Sequence, residues 1–324
     1  MNTDYCVKEG KINGFIYKRH NMKMYIVNTS SLTHRMPHFD FSGGDPLLIN
    51  SDGLGGTSPE SVATSICMNA LSLFIPAGER LFAKSVRRSL SSVDSKVLRD
   101  EIDIFCSQEA SHSYWHIKYN QQLTTHKSLR LYEKYAGRFL DFCSKKNFLG
   151  IPKHLTVVGE IFTSSASLRF LSMLYINIRG KRVQSAKQLD PIVQFWSWHS
   201  VEEIEHHHIP YHAFKYGSKS RLKLKNIFGI FAGMTVLFSL HFLAVCLLSF
   251  KMRKYFSIKT AVTLVQYLMG FRSGLYTIVA IESFKLVLTG APPFDVDTSK
   301  MQKFWYENFE NIISFNNKER KVSG

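Results

Sequence analysis

The sequence predicts an all-α protein: a four-helix bundle with two Glu/ExxH half-sites, followed by a long apolar helix. Strand-like alternation is nearly absent from the 324 residues, whereas apolar residues recur at helical spacing in several long segments. One order of residues also occurs twice, a lone Glu followed by Glu-x-x-His: Glu79, Glu109 and His112, then Glu160, Glu203 and His206.

Composition narrows the class of protein. Five cysteines are scattered without CxxC pairs, which is typical of reduced thiols in the cytoplasm and not of a disulfide framework or zinc ribbon. The first 30 residues show no apolar stretch of the kind found in signal peptides. The net charge of +16 suggests either nucleic acid or an anionic membrane surface as a partner. Because no nucleic-acid-binding module is visible, we expect no nucleic-acid partner.

The first helix is predicted to follow an irregular segment at residues 1–57, which is rich in Gly, Asp, Ser and Pro. Ser58 is a suitable N-cap, and Pro59 suits the first helical position. The helix should continue to residue 90, with a kink just before Glu79 caused by Pro76 and Gly78.

Four further helices are predicted in the bundle region. They are predicted at 93–123, 129–147, 154–176 and 189–216, with a loop at 178–184. The pattern divides the chain into an irregular N-terminal segment at 1–57, a helical bundle at 58–216, a basic and apolar helical region at 217–295, and a C-terminal tail at 296–324.

Residues 227–250 form an apolar run with His241 as its one strongly polar member, and ~20 apolar residues are enough to span a bilayer core. Lys and Arg flank the run on both sides, while residues 207–281 contain no Asp or Glu. These features predict association with an anionic membrane surface. The alternatives are a full span, a re-entrant hairpin with 260–290 as its second arm, or a helix buried on the bundle or in a homodimer.

The repeated order matches the ligand plan of di-iron and di-manganese carboxylate bundles. A spacing of three places Glu and His on one helix face, where carboxylates can bridge two cations and imidazoles can cap each one. A Glu within the apolar face around residue 160 also needs such a partner. We therefore expect two divalent metal ions, iron first, with manganese or zinc as alternatives. The expected ligands are Glu79, Glu109, His112, Glu160, Glu203 and His206.

Two further histidines share the faces of the ExxH pairs. His116 and His199 are each expected to act as an additional nitrogen ligand, or to orient a ligand or contact the substrate. Glu202 points about 100° away from Glu203 around the helix, and Glu205, His207 and His208 also lie off the face. The candidate catalytic residues are Glu79, Glu109, Glu203, His116 and His199. A single ExxH would more often be a solvated pair, so the argument depends on the repeat.

Three segments carry a more specific signal: LSLFIPAGERLFAKSVRR at 71–88, FCSQEASHSYWHIKYNQ at 105–121 and WHSVEEIEHHHIPYHAF at 198–214. They resemble the patterns Pro-x-Gly-Glu-Arg, Gln-Glu-x-x-His-x-x-x-His-x-x-x-Asn and Trp-His-x-x-Glu-Glu-x-Glu-His of the bacterial predicted metal-dependent hydrolases. The resemblance covers roughly residues 35–250. It implies a ferritin-like metal site on the six expected ligands and adds His116 and His199. His207 and His208, beside His206, depart from the family pattern.

Several functions fit these residues. The leading hypothesis is an O2-dependent di-iron oxidase or oxygenase acting on an apolar or lipid-like substrate, because ExxH bundles commonly hold such iron. The alternative, which the resemblance implies, is a metal-dependent hydrolase with the same ligands. A membrane desaturase, suggested by the histidine clusters at 112–116 and 206–208, and a non-catalytic metal-binding membrane-anchored protein are further alternatives. An oxidase would need a separate electron donor, since no nucleotide-binding signature is present. The expected location is the cytoplasm, with attachment to or insertion in the inner membrane.

Overall fold

The computed structural model describes residues 9–12, 15–18, 32, 35–43, 45–51, 56–145, 150–180, 183, 185–214, 224–293 and 297–313. These residues form eleven α-helices and one two-stranded antiparallel hairpin, β1 (Glu9–Ile12) and β2 (Phe15–Lys18). The predicted all-α fold is confirmed, except that the segment at 1–57, predicted to be irregular, contains this short hairpin. The basic linker at 215–223, loop residues 181, 182 and 184, and the basic end at 314–324 lie outside the described residues.

The bundle is built from the first six helices: α1 (Pro59–Ser72), α2 (Ile75–Arg87), α3 (Lys96–Leu123), α4 (Lys127–Lys145), α5 (Ile151–Arg179) and α6 (Pro191–His206). Of these, α2 packs against α3 and α5, and α6 packs against α5 and α3, which gives the four-helix arrangement. The side chains of Ser58, Ser95 and Asp190 cap α1, α3 and α6 by accepting from backbone N–H groups in the first turn.

The predicted kink before Glu79 lies earlier than expected. The helix breaks at Leu73–Phe74, where the chain bends by 51°. Pro76 has no N–H to donate to the carbonyl of Ser72, so it ends the first helix and is accommodated in the first turn of α2. The break places Glu79 one turn inside a new helix that faces α3.

Two other predicted helices are divided. The segment 189–216 consists of α6 and the short α7 (Ile209–Ala213), with Pro210 in the first turn of α7. The region after 223 contains α8 (Leu224–Lys251), α9 (Ile258–Met269) and α10 (Leu275–Thr289), and the predicted tail contains α11 (Ser299–Asn308). Between α9 and α10 the chain turns so tightly that a Cβ on Gly274 would lie 2.3 Å from the nitrogen of Gly270.

The long apolar helix α8 packs along the bundle against α1, α4 and α5. Its buried face carries His241, whose Nδ1 lies 2.8 Å from the Tyr276 hydroxyl and whose Nε2 lies 3.0 Å from the Cys67 carbonyl. Gly233 allows close approach, since a Cβ there would lie 3.4 Å from the carbonyl oxygen of His154. One face of α8 therefore belongs to the core, whereas only 39% of its most apolar window is buried.

The N-terminal segment at 35–43 lies over α3 and α6. Phe39 packs on Trp115 and Phe195, with ring centroids 5.2 and 5.5 Å apart, and Phe41 packs on Phe195 at 5.4 Å. This aromatic contact holds the segment, and with it Arg35, against the α6 side of the bundle.

Candidate metal centre

Four bundle helices bring the predicted ligands into one buried cluster. Glu79 comes from α2, Glu109, His112 and His116 from α3, Glu160 from α5, and His199, Glu203 and His206 from α6. Each is at most 2% exposed. These helices turn the faces that carry the predicted ligands toward the interior of the bundle. Both copies of the repeat, each a single Glu and an ExxH pair, therefore meet in one place.

The cluster contains two groups of four residues that could each hold a metal ion. The Glu79 group is Glu79, His112, His199 and Glu203, and the Glu109 group is Glu109, His112, Glu203 and His206. Within each group the candidate ligand atoms all lie within 4.8 Å of one another. The two groups share His112 and Glu203, so two ions held there would be neighbours. The Glu203 carboxylate could be shared by both ions, whereas Nδ1 of His112 could bind only one of them.

Glu203 lies at the centre of this arrangement. Its Oε1 is 3.4 Å from Nδ1 of His112, 3.5 Å from Nε2 of His199 and 3.9 Å from Nε2 of His206. Its other oxygen, Oε2, accepts a hydrogen bond from the Thr163 hydroxyl. One oxygen is thus fixed by α5, and the other faces the three imidazoles.

Glu160, expected as the counterpart of Glu79, belongs to neither group. Its Oε2 lies 3.3 Å from Nδ1 of His206, whose Nε2 is 3.3 Å from Oε1 of Glu109. His206 therefore stands between the two carboxylates. The two groups are not equivalent, because Glu160 lies beside His206 of the Glu109 group, whereas the Glu79 group contains His199.

His116 contacts the centre through His199. Nε2 of His116 lies 3.2 Å from Nδ1 of His199, and Nδ1 of His116 lies 2.8 Å from the Ser72 hydroxyl. Ser72 donates to Oδ1 of Asn120 at 2.6 Å, so it must accept from Nδ1–H of His116. Neutral His116 then accepts from Nδ1–H of His199, which leaves the Nε2 lone pair of His199 facing Glu203. Of the two roles open for His116, the geometry favours orienting a neighbour.

A buried charged network lies behind His112 and was missed by sequence reasoning. Nε2 of His112 is 3.0 Å from Glu202, which accepts at 3.1 Å from Arg35. Arg35 also forms two hydrogen bonds to Glu205, at 2.9 and 3.0 Å, and Tyr306 donates to Glu205 at 2.7 Å. Glu202 and Glu205 do lie off the face of Glu203, but they are fully buried. The three glutamates within residues 202–205 were the one sequence feature that could have indicated a buried charged network. Arg35 could not be linked to it from sequence, because it lies 167 positions before Glu202.

The remaining off-face groups do not reach the centre. Nδ1 of His207 lies 3.1 Å from the carbonyl of Ile204, and the Cys106 thiol donates to the carbonyl of Ala83 at 3.5 Å. His208 contacts His207 and His212 through ring packing. His206 is therefore the member of the His206–His208 run that enters a group.

The unpaired polar atoms of the cluster fit bound cations. In the described part of the chain, both carboxylate oxygens of Glu79, Glu109 and Glu160 have no hydrogen-bond partner. The same holds for Nδ1 of His112, Nε2 of His199 and both ring nitrogens of His206. Buried polar atoms without partners are costly, and carboxylates with imidazoles are the usual ligands of divalent transition metals. These residues accordingly suit a dinuclear metal site.

The protonation of the cluster supports the same conclusion. Burial raises the pKa of Glu79 and of Glu109 well above the usual range of a carboxyl, and nearby carboxylates add to the rise. Burial also raises the pKa of Glu160, to about 7. For Glu203 the effect of burial is exceeded by the hydrogen bond and charges of the imidazoles, which lower its pKa. Without cations the cluster retains protons to reduce repulsion between its carboxylates.

A family model described as predicted metal-dependent hydrolase matches residues 56–297. The chain belongs to this family. The match spans α1 to α10 and includes every residue of both groups, whereas Arg35 lies before it. No curated protein and no solved structure matches the chain. The family description agrees with a hydrolase, and nothing in the comparisons supports the oxidase hypothesis.

Proposed function

We propose that the chain is a dinuclear metal-dependent hydrolase acting on an apolar or lipid-like substrate. The observation that carries this proposal is the pair of buried four-residue groups that share His112 and Glu203. Two divalent cations held there would supply Lewis acidity and would lower the pKa of bound water. The family description points to the same reaction class.

In this proposal, some residues of the centre bind the cations and others position those ligands. The two groups would hold the cations, with iron, manganese and zinc all compatible with their donor atoms. Glu202 and His116 would position His112 and His199, respectively. Glu160 stands outside both groups, with its Oε2 3.3 Å from Nδ1 of His206, and we assign it to position that ring.

An apolar cleft supports the proposed substrate class. Thr163, which donates to Glu203, lines the cleft together with Gly78 and Gly159, each of which directly precedes a glutamate of the centre. The other lining residues are Leu71, Phe74, Ile75, Phe82, Phe162 and Leu237. The cleft is nearly closed, with about 10 Å³ of free volume, because the Phe82 ring packs against Gly159. Movement of Phe82 would open an apolar route, suited to a hydrocarbon chain, toward the centre.

Metal analysis and hydrolysis assays test the proposal together. Protein purified without air should contain two metal ions per chain and should hydrolyse carboxylic esters, with preference for longer acyl chains. Glu109→Ala should lose metal and turnover, whereas Glu101→Gln, which changes a buried glutamate of α3 outside both groups, should retain both. Absence of hydrolysis by the fully loaded protein would overturn the proposal.

An O2-dependent di-iron oxidase or oxygenase is the second candidate, favoured by one observation. The order Glu, ExxH, Glu, ExxH on four bundle helices is the ligand plan of carboxylate proteins that use iron with dioxygen. Oxygen consumption by iron-loaded protein, given substrate and a separate electron donor, would favour this candidate over hydrolysis. A loaded protein that shows neither activity would instead fit the non-catalytic metal-binding alternative.

The cellular location we propose is the cytoplasmic side of the inner membrane. Among the described helices, α8 is the single helix long and apolar enough to cross a membrane, and the bent pair of α1 and α2 would qualify only as one span. Buried core helices can pass the same test. Three of the four described cysteines are buried free thiols, in keeping with a reducing compartment. Fractionation of cells that express the full chain tests the proposal, and recovery of all the protein in the soluble fraction would contradict it.

A further inference from the structure

The outward face of α8 is an uncharged, mostly apolar stripe with two hydroxyl residues in its middle. Its exposed residues recur at spacings of three and four: Phe228, Phe231, Thr235, Ser239, Phe242, Cys246 and Phe250. No Lys, Arg, Asp or Glu occurs at 226–250. A surface helix normally presents charged side chains to water, so this stripe is unusual for a face without a partner.

The next two helices continue the same surface. Exposed apolar residues of α9 again recur at helical spacing, namely Ile258, Val262, Val265 and Met269, beside the exposed polar Lys259 and Gln266. Those of α10 are Ile281, Phe284 and Leu288, with Thr289 exposed at its end. α10 packs against both α8 and α9, and the rings of Phe231 and Phe284 lie 5.3 Å apart. The three stripes together form what we call the outer apolar face. Contiguous exposed apolar surface of this extent marks an interaction site.

The charges around the outer apolar face are mostly basic, and the carboxylates beside it, Glu282 and Asp45, are paired with Lys285 and Lys254. Basic residues lie near the ends of α8 and α9: Lys225, Lys251, Arg253, Lys254, Lys259 and Arg272. Residues 207–281 contain no Asp or Glu. At the turn between α9 and α10, Phe271 is 83% exposed beside Arg272. Apolar side chains bordered by cations complement a bilayer with anionic headgroups.

The inner contacts of α8 oppose a transmembrane orientation. The helix is held to the bundle by His241 and by the Tyr132 hydroxyl, which donates to the carbonyl of Leu240 at 2.7 Å. Tyr132 belongs to α4, which packs beside α8 and exposes Arg130, Lys134 and Arg138. If α8 crossed the bilayer, these charges would enter hydrocarbon at high cost. An orientation parallel to the membrane keeps α4 in water.

We infer that the outer apolar face docks onto an anionic bilayer, with α8, α9 and α10 parallel to the membrane plane. The phenylalanine and aliphatic side chains enter the boundary between headgroups and acyl chains. The basic residues at the helix ends contact the headgroups, and the metal-bearing bundle stays on the aqueous side. The docking does not depend on the proposed hydrolysis and is expected of the metal-free chain as well.

A pair of matched variants tests the inference. Full-length protein should float with phosphatidylglycerol vesicles and not with phosphatidylcholine vesicles, and high salt should weaken the binding. Phe242→Asp on the outer apolar face should weaken binding about tenfold or more. Phe142→Asp, on α4, should have no effect, although the two rings are similarly exposed at 56% and 58%. Equal binding by both variants, with circular dichroism showing that both are folded, would overturn the inference.

A label on the stripe reports the docked surface directly. Cys246 is exposed, whereas the other described cysteines, Cys67, Cys106 and Cys143, are buried, so a Cys6→Ser background makes labelling selective. An environment-sensitive fluorophore there should shift to the blue when anionic vesicles are added. An unshifted spectrum would contradict docking. Dimers in solution that Phe242→Asp dissociates, with no vesicle binding, would assign the face to a second copy of the chain instead.

Discussion

The imidazole of His112 is held on its Nε2 side by Glu202. Its Nε2–H donates to Glu202, so its Nδ1 lone pair faces the shared part of the two groups. Glu202→Gln weakens this hold and should lower metal affinity by about 10–100-fold while the chain stays folded. Competition with a chelator measures the change, with Glu101→Gln as the control. An unchanged affinity would show that Glu202 only balances the charge of Arg35.

The charge of His112 should also make the stability of the metal-free chain depend on pH. Burial lowers its pKa, but contacts with Glu202 and Glu203 outweigh that effect and raise it to about 10, from an ordinary 6.5. A raised pKa stabilises the folded state below 6.5, and this contribution is lost as pH rises toward 10. The loss over that whole range should be on the order of 5 kcal/mol.

Urea unfolding of chelator-treated protein checks this loss. The free energy of unfolding should fall between about pH 7 and pH 9.5, and it should fall less steeply in His112→Asn. An equal slope in the variant would mean that the decline arises from the buried carboxyls alone.

The two additional histidines should behave differently when truncated. His199→Ala removes a member of the Glu79 group, so metal stoichiometry should fall. His116→Ala leaves Nδ1–H of His199 without an acceptor, and metal affinity should fall by about 10–100-fold while stoichiometry is retained. Metal analysis of both variants separates these results, and complete metal loss in both would mean that His116 binds metal directly.

At the scale of elements, the crossing of α2 and α5 depends on Gly159. A Cβ at this position would lie 2.1 Å from Cζ of Phe82, so Gly159→Ala must displace the ring. It should destabilise the fold by about 1–3 kcal/mol, and Phe82→Leu in the same chain should recover part of that loss. In α4, Gly137→Ala is the matched control, because its Cβ would meet its nearest neighbour at 3.9 Å. Denaturant unfolding compares the variants, and equal costs at both glycines would refute this packing argument.

The existence of the helices was predicted from the sequence better than the residues at which they begin and end. Helical periodicity identified the bundle helices and α8, because an apolar face is local information. The break at Leu73–Phe74 was placed too late, since a proline acts on the hydrogen bond four residues before it. α11 was not foreseen, because its burial depends on α5 and α6.

The same limit applies to the candidate site. The spacing of ExxH placed the Glu and His of each pair on one face, and the buried geometry brings both faces together. Which histidine contacts which carboxylate depends on helix rotation and crossing, so the separate position of Glu160 was not foreseeable. The contact between Arg35 and Glu202 joins residues 167 positions apart and leaves no local pattern.

For the whole molecule, metal should contribute measurably to stability. The cations would bind the folded chain, in which four helices converge, and not the unfolded chain, in which the ligands are dispersed. A free metal concentration of ~100 times Kd should add about 2.7 kcal/mol to the free energy of unfolding. Thermal melting with and without chelator measures this gain. Glu109→Ala should melt alike in both conditions, and a chelator-insensitive wild type would exclude a folded-state metal site.

The unequal halves of the centre imply an order of loading. Each group offers two carboxylates and two imidazoles, and Glu202 lies behind the shared His112. Among the described residues, Glu160 stands beside His206 of the Glu109 group, while His199 of the Glu79 group is backed by a neutral imidazole. The added negative charge of Glu160 should make the Glu109 group fill first. Metal titration should therefore proceed in two resolved steps, and Glu160→Gln should bring the two affinities closer together.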